Sequence, residues 1–452
     1  MASSTDNFSG ELTEIQQYKG RRNIIVTTVL TSIYSCSIGA AILNLFAVRI
    51  GMPLDKLGVM NAFGSLFAVI QLFLLGAIER SGKRRYVGPF WGLQAAFSLL
   101  FPLIPLIYQR FGSIQAINTL LLAIAVTSLF GNLGQAGWYP LVKDSVPDEI
   151  TGRFIAKTGI AYHFPGIVYL MLAGIYLGSE PSVTRFTTIF IVGVAAVLVR
   201  QVYLIRIPEI RSLPKAEGAR QVRAMVTPLL DGNYRRYLLF LVIAHFAVGL
   251  AAPFIVVYMK SRLGLSSSLV TVISSMEVVG AILTLTLWGR LCDRHGQRSV
   301  FGLSSILFCL VMLAWAGLGH KNPAIILIAG LVSLIRGVAV AGLNQGEICY
   351  VFHAAPKVNS TAYVTVPFII GGLAMGAGPI VGGEFLLLMQ KNAFILPVGL
   401  NPYSILFAFD ALLILLAMWQ KKRMKWHEDL SSIEVVGRLM RSSTSKFIKR
   451  YS

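Results

Sequence analysis

Apolar residues fall in blocks of about twenty along the whole chain, separated by short polar segments. A helix of that length crosses a hydrocarbon core about 30 Å thick, whereas a membrane-barrel strand alternates over about ten residues. The predicted spans are 24–48, 58–77, 87–108, 116–139, 157–177, 186–206, 237–259, 268–288, 300–318, 324–346, 363–388 and 403–421. The pattern therefore predicts an all-α polytopic membrane protein with twelve transmembrane helices.

The lysine and arginine residues are distributed unevenly between alternate loops. With the N-terminus inside, the inner segments hold 29 of them and the outer segments hold 8. Arg200, Arg206 and Arg336 are the remaining three and lie within predicted spans. Because basic residues accumulate in cytoplasmic loops, we expect both termini on the cytoplasmic side of a cell inner membrane. Arg200 is expected to extend its side chain to the interface.

The longest internal polar stretch, which contains three prolines, lies between spans six and seven and divides the chain into two sets of six spans. Parallel repeats of this kind occur in transporters. The predicted domains are an N-terminal cytoplasmic segment 1–23, a six-helix bundle 24–206, a cytoplasmic linker 207–236, a second six-helix bundle 237–421 and a basic cytoplasmic tail 422–452. Two interpretations of the tail stay open: an amphipathic helix on anionic lipids, or a disordered basic segment.

Composition narrows the function classes. Only 13% of the residues are charged, against roughly 25% in soluble domains. The basic residues behind the net charge of +20 lie mostly in loops. This distribution indicates that they set the membrane topology and do not bind a nucleic acid. The four cysteines lack metal-site spacing, so no metal and no cofactor are expected. Walker, H-E-x-x-H and G-x-S-x-G sequences are absent, so catalytic residues are not assigned and an enzyme is not expected.

The segment after span eight carries the most specific local sequence, and the segment after span two repeats part of it. The first runs from Gly289 to Arg298, the second from Glu79 to Arg85, and Asp293 follows Glu79 by 214 residues. Each segment places an acid beside an arginine, and a glycine follows two residues after that arginine. The candidate gating residues are Gly289, Asp293, Arg294, Gly296 and Arg298, with Glu79, Arg80, Gly82 and Arg84 in the first half.

This G-x-L-x-D-R-x-G-x-R string resembles the signature loop of the major facilitator superfamily. The resemblance covers essentially the whole chain and implies two pseudo-symmetric six-helix bundles that work by alternating access. It also implies that this loop stabilises the outward-facing state, and that spans one, four, seven and ten line a central cavity. The glycines allow tight turns. The alternative for the loop is a plain basic segment that only sets topology.

Ionisable residues at bilayer depth are candidates for function. Glu277 in span eight and Arg336 in span ten lie at similar depth and could pair directly. Arg336 is expected to face the cavity, with Glu277 as its partner or as a protonatable coupling group; a permanent structural ion pair is the alternative. His245 in span seven is a candidate proton relay, or a packing residue.

Neutral polar residues also lie on the expected cavity helices. They are Tyr34 and Asn44 on span one, Asn132 and Gln135 on span four, and Asn344 on span ten. Each one alone is explained by interhelical hydrogen bonding. Together they favour a wet cavity.

These observations indicate a secondary active or facilitative transporter that moves a small solute by alternating access, driven by a proton, ion or solute gradient. The expected partners are a small-molecule solute of unassigned class, a coupling proton or cation, and the lipid bilayer. A transporter-derived membrane sensor without turnover stays open as the alternative. A lipid-modifying enzyme is disfavoured, because the acids near the inner helix ends are scattered.

Overall fold

The computed structural model describes residues 12–70, 83–146, 151–209, 227–319, 324–354, 360–391 and 401–424. Fifteen α-helices and two 3-10 turns, 68–70 and Phe101–Leu103, make up this part of the chain, and it contains no strand. The helices are α1 Glu14–Ser37, α2 Ala40–Arg49, α3 Leu54–Phe67, α4 Lys83–Ser98, α5 Ile104–Phe111, α6 Ser113–Asp144, α7 Thr151–Leu177, α8 Val183–Leu204, α9 Thr227–Leu230, α10 Gly232–Ser261, α11 Ser267–His295, α12 Gln297–Gly317, α13 Ile325–Ala354, α14 Ser360–Lys391 and α15 Pro402–Lys422.

Eleven candidate membrane spans lie within the described residues. The second predicted span, 58–77, enters the segment 71–82, which lies outside them. Large apolar side chains such as Ile175, Leu283 and Leu327 are 70%, 68% and 76% exposed, as expected for faces that contact lipid tails. The prediction of an all-α polytopic membrane protein is confirmed.

Spans one and three, each described over its whole length, are not continuous helices. Span one breaks at Gly39, because α1 ends at Ser37 and α2 begins at Ala40. An ideal Cβ at Gly39 would lie 2.3 Å from the Ser35 carbonyl oxygen, so the break needs a residue without a side chain. Span three is interrupted by the 3-10 turn, which contains Pro102. Proline lacks the amide N–H that a continuous helix would use.

The signature segment is more helical than the sequence pattern suggested. Helix α11 continues through Gly289 to His295 and α12 begins at Gln297, so Gly289 lies within a helix. Apolar Leu291 and Cys292 are buried there and keep the helix packed for another two turns. The turn is confined to Gly296, whose φ of 78° lies in the left-handed region that favours glycine.

The described chain divides into two compact units. The first comprises Met1–Ala219, Val256–Val272 and Pro379–Leu387. In it α4 packs along α6, and α1 packs against α7 and α8. Its core is an apolar cluster around Ile24, Val87 and Trp91.

The second unit comprises Arg220–Ile255, Ile273–Gly378 and Leu388–Ser452. Helix α12 packs against both α13 and α15. The core here is built on Trp288, Val300 and Ala341. Trp288 donates its indole N–H to the Val338 carbonyl oxygen at 2.9 Å.

Candidate functional site

The first unit contains a cavity of about 560 Å³ within its helices. This volume lies in the range of small-molecule sites. Its wall is rich in hydrogen-bonding and aromatic side chains, contributed by α1, α4, α6, α7 and α8. They are Thr28, Thr31, Tyr34, Ser35, Trp91, Gln94, Ser128, Asn132, Gln135, Trp138, Thr158, Tyr162, His163 and Arg200.

Two glycines on α6 determine how the α4 side chains lie along this wall. An ideal Cβ at Gly134 would lie 2.1 Å from the Trp91 ring, and one at Gly131 would lie 2.5 Å from the Gln94 amide nitrogen. Trp91 then donates its indole N–H to the Gly131 carbonyl oxygen at 3.2 Å. Since α4 and α6 pack this closely, Trp91 and Gln94 are held beside the cavity rather than on the lipid face.

Arg200 on α8 does not reach the membrane interface, so the prediction from its position was wrong. Its exposed fraction is 1%. Its Nη2 donates to Gln94 Oε1 at 2.8 Å, and its guanidinium carbon lies 4.2 Å from the centre of the Trp91 ring. The amide and the aromatic face on α4 offer the cation two contacts inside the protein, which the sequence of α8 alone does not reveal.

Three of the five predicted polar pathway residues line the cavity: Tyr34, Asn132 and Gln135. The Tyr34 hydroxyl lies 2.8 Å from the Ser98 hydroxyl, and the Asn132 amide donates to the Gly64 carbonyl oxygen at 3.0 Å.

The other two, Asn44 and Asn344, do not line this cavity. Asn44 is fully buried and its Oδ1 accepts a hydrogen bond from Asn61 Nδ2 at 2.8 Å. Asn344 is exposed on α13. The functional roles of all five residues stay predictions.

Glu277 and Arg336 form an ion pair in the second unit. Arg336 is 5% exposed, while the Glu277 side chain is 35% exposed. Close approach of α11 and α13 brings the two side chains together. An ideal Cβ at Gly280 would lie 2.0 Å from the Leu334 carbonyl oxygen, and one at Gly337 would lie 1.8 Å from that of Glu277.

His245 also has an acidic partner, Glu347, which sequence reasoning missed. The His245 Nε2 lies 3.2 Å from Glu347 Oε2, and the side chains are 18% and 6% exposed. The predicted span ended at residue 346, but α13 continues to Ala354 and carries Glu347 into the interior. His245 Nδ1 and Glu347 Oε1 have no hydrogen-bond partner. Gly371 leaves room for the imidazole, because an ideal Cβ there would lie 2.5 Å from Nδ1.

The candidate gating residues are only partly described. Glu79, Arg80 and Gly82 lie outside the described residues, as does the side chain of Asp293. Arg84 Nη1 donates to the carbonyl oxygen of Ile205 at 3.3 Å. Arg294 is exposed in the last turn of α11. Arg298 accepts through its carbonyl oxygen from Lys421 Nζ at 3.1 Å. A gating role stays a prediction.

One ion pair of the first unit lies at the protein surface, and its acidic residue lies outside the membrane spans. Lys260 Nζ lies 2.8 Å from Glu180 Oε1. The hydrogen bond and the positive charge of Lys260 lower the pKa of Glu180 below its usual value. Beside it, Ser268 donates its backbone N–H to the Gly178 carbonyl oxygen at 2.9 Å. In the part of the chain that is described, no three His, Cys, Asp or Glu side chains are grouped as a metal site.

Comparison with known proteins gives one family and a consistent fold. The family model described as Major Facilitator Superfamily matches residues 237–432. The search of curated proteins gives no match.

Solved structures similar to this chain include a mutant of the nucleoside transporter NupG, with a TM-score of 0.70 at 14% identity over 90% of this chain and 100% of that one. A bacterial homologue of the human lysosomal transporter Spinster gives 0.65 at 14% over 91% and 98%. The xylose transporter XylE from E. coli gives 0.63 at 13% over 90% and 98%. The resemblance inferred from the signature segment is therefore confirmed: the chain is a polytopic membrane protein with the fold of the major facilitator superfamily, and its second half matches that family's sequence model.

Proposed function

We propose that this protein is a secondary active or facilitative transporter that moves a small solute by alternating access. The cavity in the first unit carries the proposal, because it places many hydrogen-bonding side chains inside helices that cross a membrane. Polar groups inside the bilayer are unfavourable unless they form hydrogen bonds with water, with a ligand or with each other. The volume of about 560 Å³ is large enough for a small-molecule ligand.

The wall supports a compact solute with several hydrogen-bonding groups and one flat face. Amides and hydroxyls such as Gln135, Asn132 and Thr31 are suited to sugar-like or base-like groups, and Trp138 is suited to a ring. The titles of two similar structures name a nucleoside transporter and a xylose transporter, and both solutes carry several hydrogen-bonding groups. We also propose that the protein lies in a cell inner membrane with both termini cytoplasmic, because basic residues are concentrated in alternate loops.

The two buried pairs of the second unit are the proposed coupling elements. Glu277 and His245 have side chains that can exchange protons, and each lies within ion-pair distance of an ionisable partner, Arg336 and Glu347 respectively. If a proton gradient drives transport, Glu277→Gln or His245→Gln abolishes uphill uptake and leaves counterflow intact. If both variants retain proton-driven uphill uptake, neither residue couples proton movement to transport. If the unmodified protein shows no proton-driven uptake, the solute's own gradient drives transport.

The test begins with thermal-shift screening of the purified protein against sugars, nucleosides and metabolites, followed by uptake into proteoliposomes. Gln135→Ala removes a cavity amide, and Gln115→Ala on the same helix is the matched control, because Gln115 is exposed and does not line the cavity. We expect Gln135→Ala to weaken binding of the best ligand by about tenfold and Gln115→Ala to leave it unchanged. Equal binding in both variants contradicts the assignment of the cavity.

Proteoliposome uptake separates a transporter from the sensor alternative. A transporter accumulates or equilibrates the ligand across the membrane at a rate that depends on protein. If a ligand binds to the protein but shows neither uptake nor counterflow, the result supports the sensor.

A further inference from the structure

Arg200 is a buried cation without an acidic partner. Its hydrogen-bond acceptor is the neutral amide oxygen of Gln94, and its Nε has no partner. Within the described ranges, no carboxylate lies within ion-pair distance of its guanidinium. A guanidinium has five N–H donors, so a single neutral acceptor leaves most of its capacity unused.

Burial of an unpaired charge is strongly unfavourable unless other groups compensate. The Trp91 ring stabilises the cation by a cation–π interaction, and the hydrogen bond to the neutral Gln94 amide adds to it. These contacts do not replace a counter-charge. An anion that enters the cavity would supply it.

Arg200 lines the cavity, and no acid is among the lining residues that the structure describes. A negative group would therefore meet attraction from Arg200 without repulsion from a carboxylate. The other titratable lining residues are His163, Tyr34 and Tyr162, and none of them is a carboxylic acid.

The guanidinium is also held in place before any ligand arrives. Gln94 is positioned by its own hydrogen bond to the Thr127 carbonyl oxygen at 3.4 Å and by the space above Gly131. Trp91 is fixed by its bond to the Gly131 carbonyl oxygen. A cation that is already oriented loses little freedom when it binds an anion.

We propose that the transported solute carries a negative group, a carboxylate or a phosphate, and that Arg200 binds this group. The proposal rests on the proposed function, since it names the charge of the solute that the cavity takes. Recognition combines the planar fork of Arg200, which matches both anions, with the hydroxyls and amides around it. A purely structural Arg200, which ties α8 to α4, is the competing explanation.

The first experiment asks whether the empty cavity attracts anions. Trp138 lines the cavity, and its ring centre lies 5.2 Å from that of Trp91. Its fluorescence is obtained as the difference between the protein and Trp138→Phe. We expect iodide to quench this signal more than neutral acrylamide does, and Arg200→Gln to lower the iodide-to-acrylamide ratio by about twofold or more. Equal ratios in the protein and in Arg200→Gln overturn the proposal.

The second experiment uses pairs of probes that differ in one anionic group: nicotinate against nicotinamide, uridine 5′-monophosphate against uridine, and glycerol 3-phosphate against glycerol. We expect a charged member to raise the melting temperature more than its neutral partner. Its apparent dissociation constant should rise at least about tenfold in Arg200→Gln and less in Arg200→Lys, which keeps the charge but not the fork.

Arg185→Gln is the matched control, because Arg185 is on the same helix, lies outside the cavity wall and donates to the Leu177 carbonyl oxygen at 2.7 Å. It should retain the preference for the charged member. If neutral members bind as well as charged ones, and bind equally to Arg200→Gln, the solute is not an anion while the transport proposal stands. A structural role alone lowers the melting temperature of Arg200→Gln without changing the preference for charged members.

Discussion

Among the residues that the structure describes, each unit buries one arginine between its helices, and the two arginines differ in their neighbours. In the second unit Arg336 is bonded to Glu277. In the first, Arg200 is bonded to a neutral amide and stacked on an indole. Both side chains are nearly inaccessible, at 5% and 1% exposure. One cation is thus neutralised by the chain itself, while the other is exposed only to a polar cavity.

The difference separates a charge that holds helices together from one that is available to a ligand. A buried pair is destabilised strongly when one partner is removed, because the other charge is left without compensation. For an unpaired cation, the unfavourable free energy of an uncompensated charge is already present in the protein without ligand. Removing it should therefore affect stability less and ligand binding more.

The largest expected effect comes from the helix contact behind the paired arginine. Gly337→Ala would place a Cβ 1.8 Å from the backbone oxygen of Glu277, and a backbone atom cannot move aside without shifting the helix. We expect loss of about 3 kcal/mol, measured as a lower melting temperature in detergent. Gly330→Ala on the same helix meets nothing within 4 Å and should be neutral or slightly stabilising. An unchanged Gly337→Ala protein would mean that α11 and α13 are further apart.

A smaller effect is expected from the charges themselves. Glu277→Gln removes the carboxylate that pairs with Arg336 and should lower stability by about 2 kcal/mol, a value reduced because Glu277 is about a third exposed. The double variant Glu277→Gln with Arg336→Met should recover part of the loss.

Arg200→Met tests the other side of the same comparison. We expect it to change stability by about 1 kcal/mol or less, since no acid is left behind. A loss as large as that of Glu277→Gln would show that Arg200 is compensated by contacts equivalent to an ion pair.

The sequence predicted the membrane spans well because the bilayer imposes a length and a polarity on each helix. It predicted that Glu277 and Arg336 could meet because both lie at similar depth. Arg200 was misassigned, since depth along one helix does not reveal that Gln94 and Trp91 on α4 stand opposite it. Glu347 was missed because hydropathy falls before the helix ends.

The glycines carried a signal that sequence reasoning did not use. Gly131, Gly134 and Gly137 recur every third residue on α6, and each would place a Cβ against Gln94, Trp91 or Val87. A small residue at every turn indicates a closely packed partner helix. Which helix it is depends on tertiary contacts, so the cavity wall could not be assembled from α6 alone.

The smallest expected effect concerns the ion pair at the surface, which shows how little a paired charge matters when water reaches it. Glu180 is 70% exposed and bonded to Lys260, and this partner lowers its pKa. A carboxyl whose folded pKa is depressed adds stability above its unfolded pKa of about 4.3, and that stability is lost as pH falls through the folded value. Glu180→Gln should therefore lower stability by a few tenths of a kcal/mol at about pH 7. The difference should vanish in acid and at high salt. The neighbouring backbone hydrogen bond from Ser268 to Gly178 does not depend on pH and is present in both proteins. A melting-temperature difference that persists below about pH 3 would therefore mean that Glu180 stabilises the protein by packing rather than by charge.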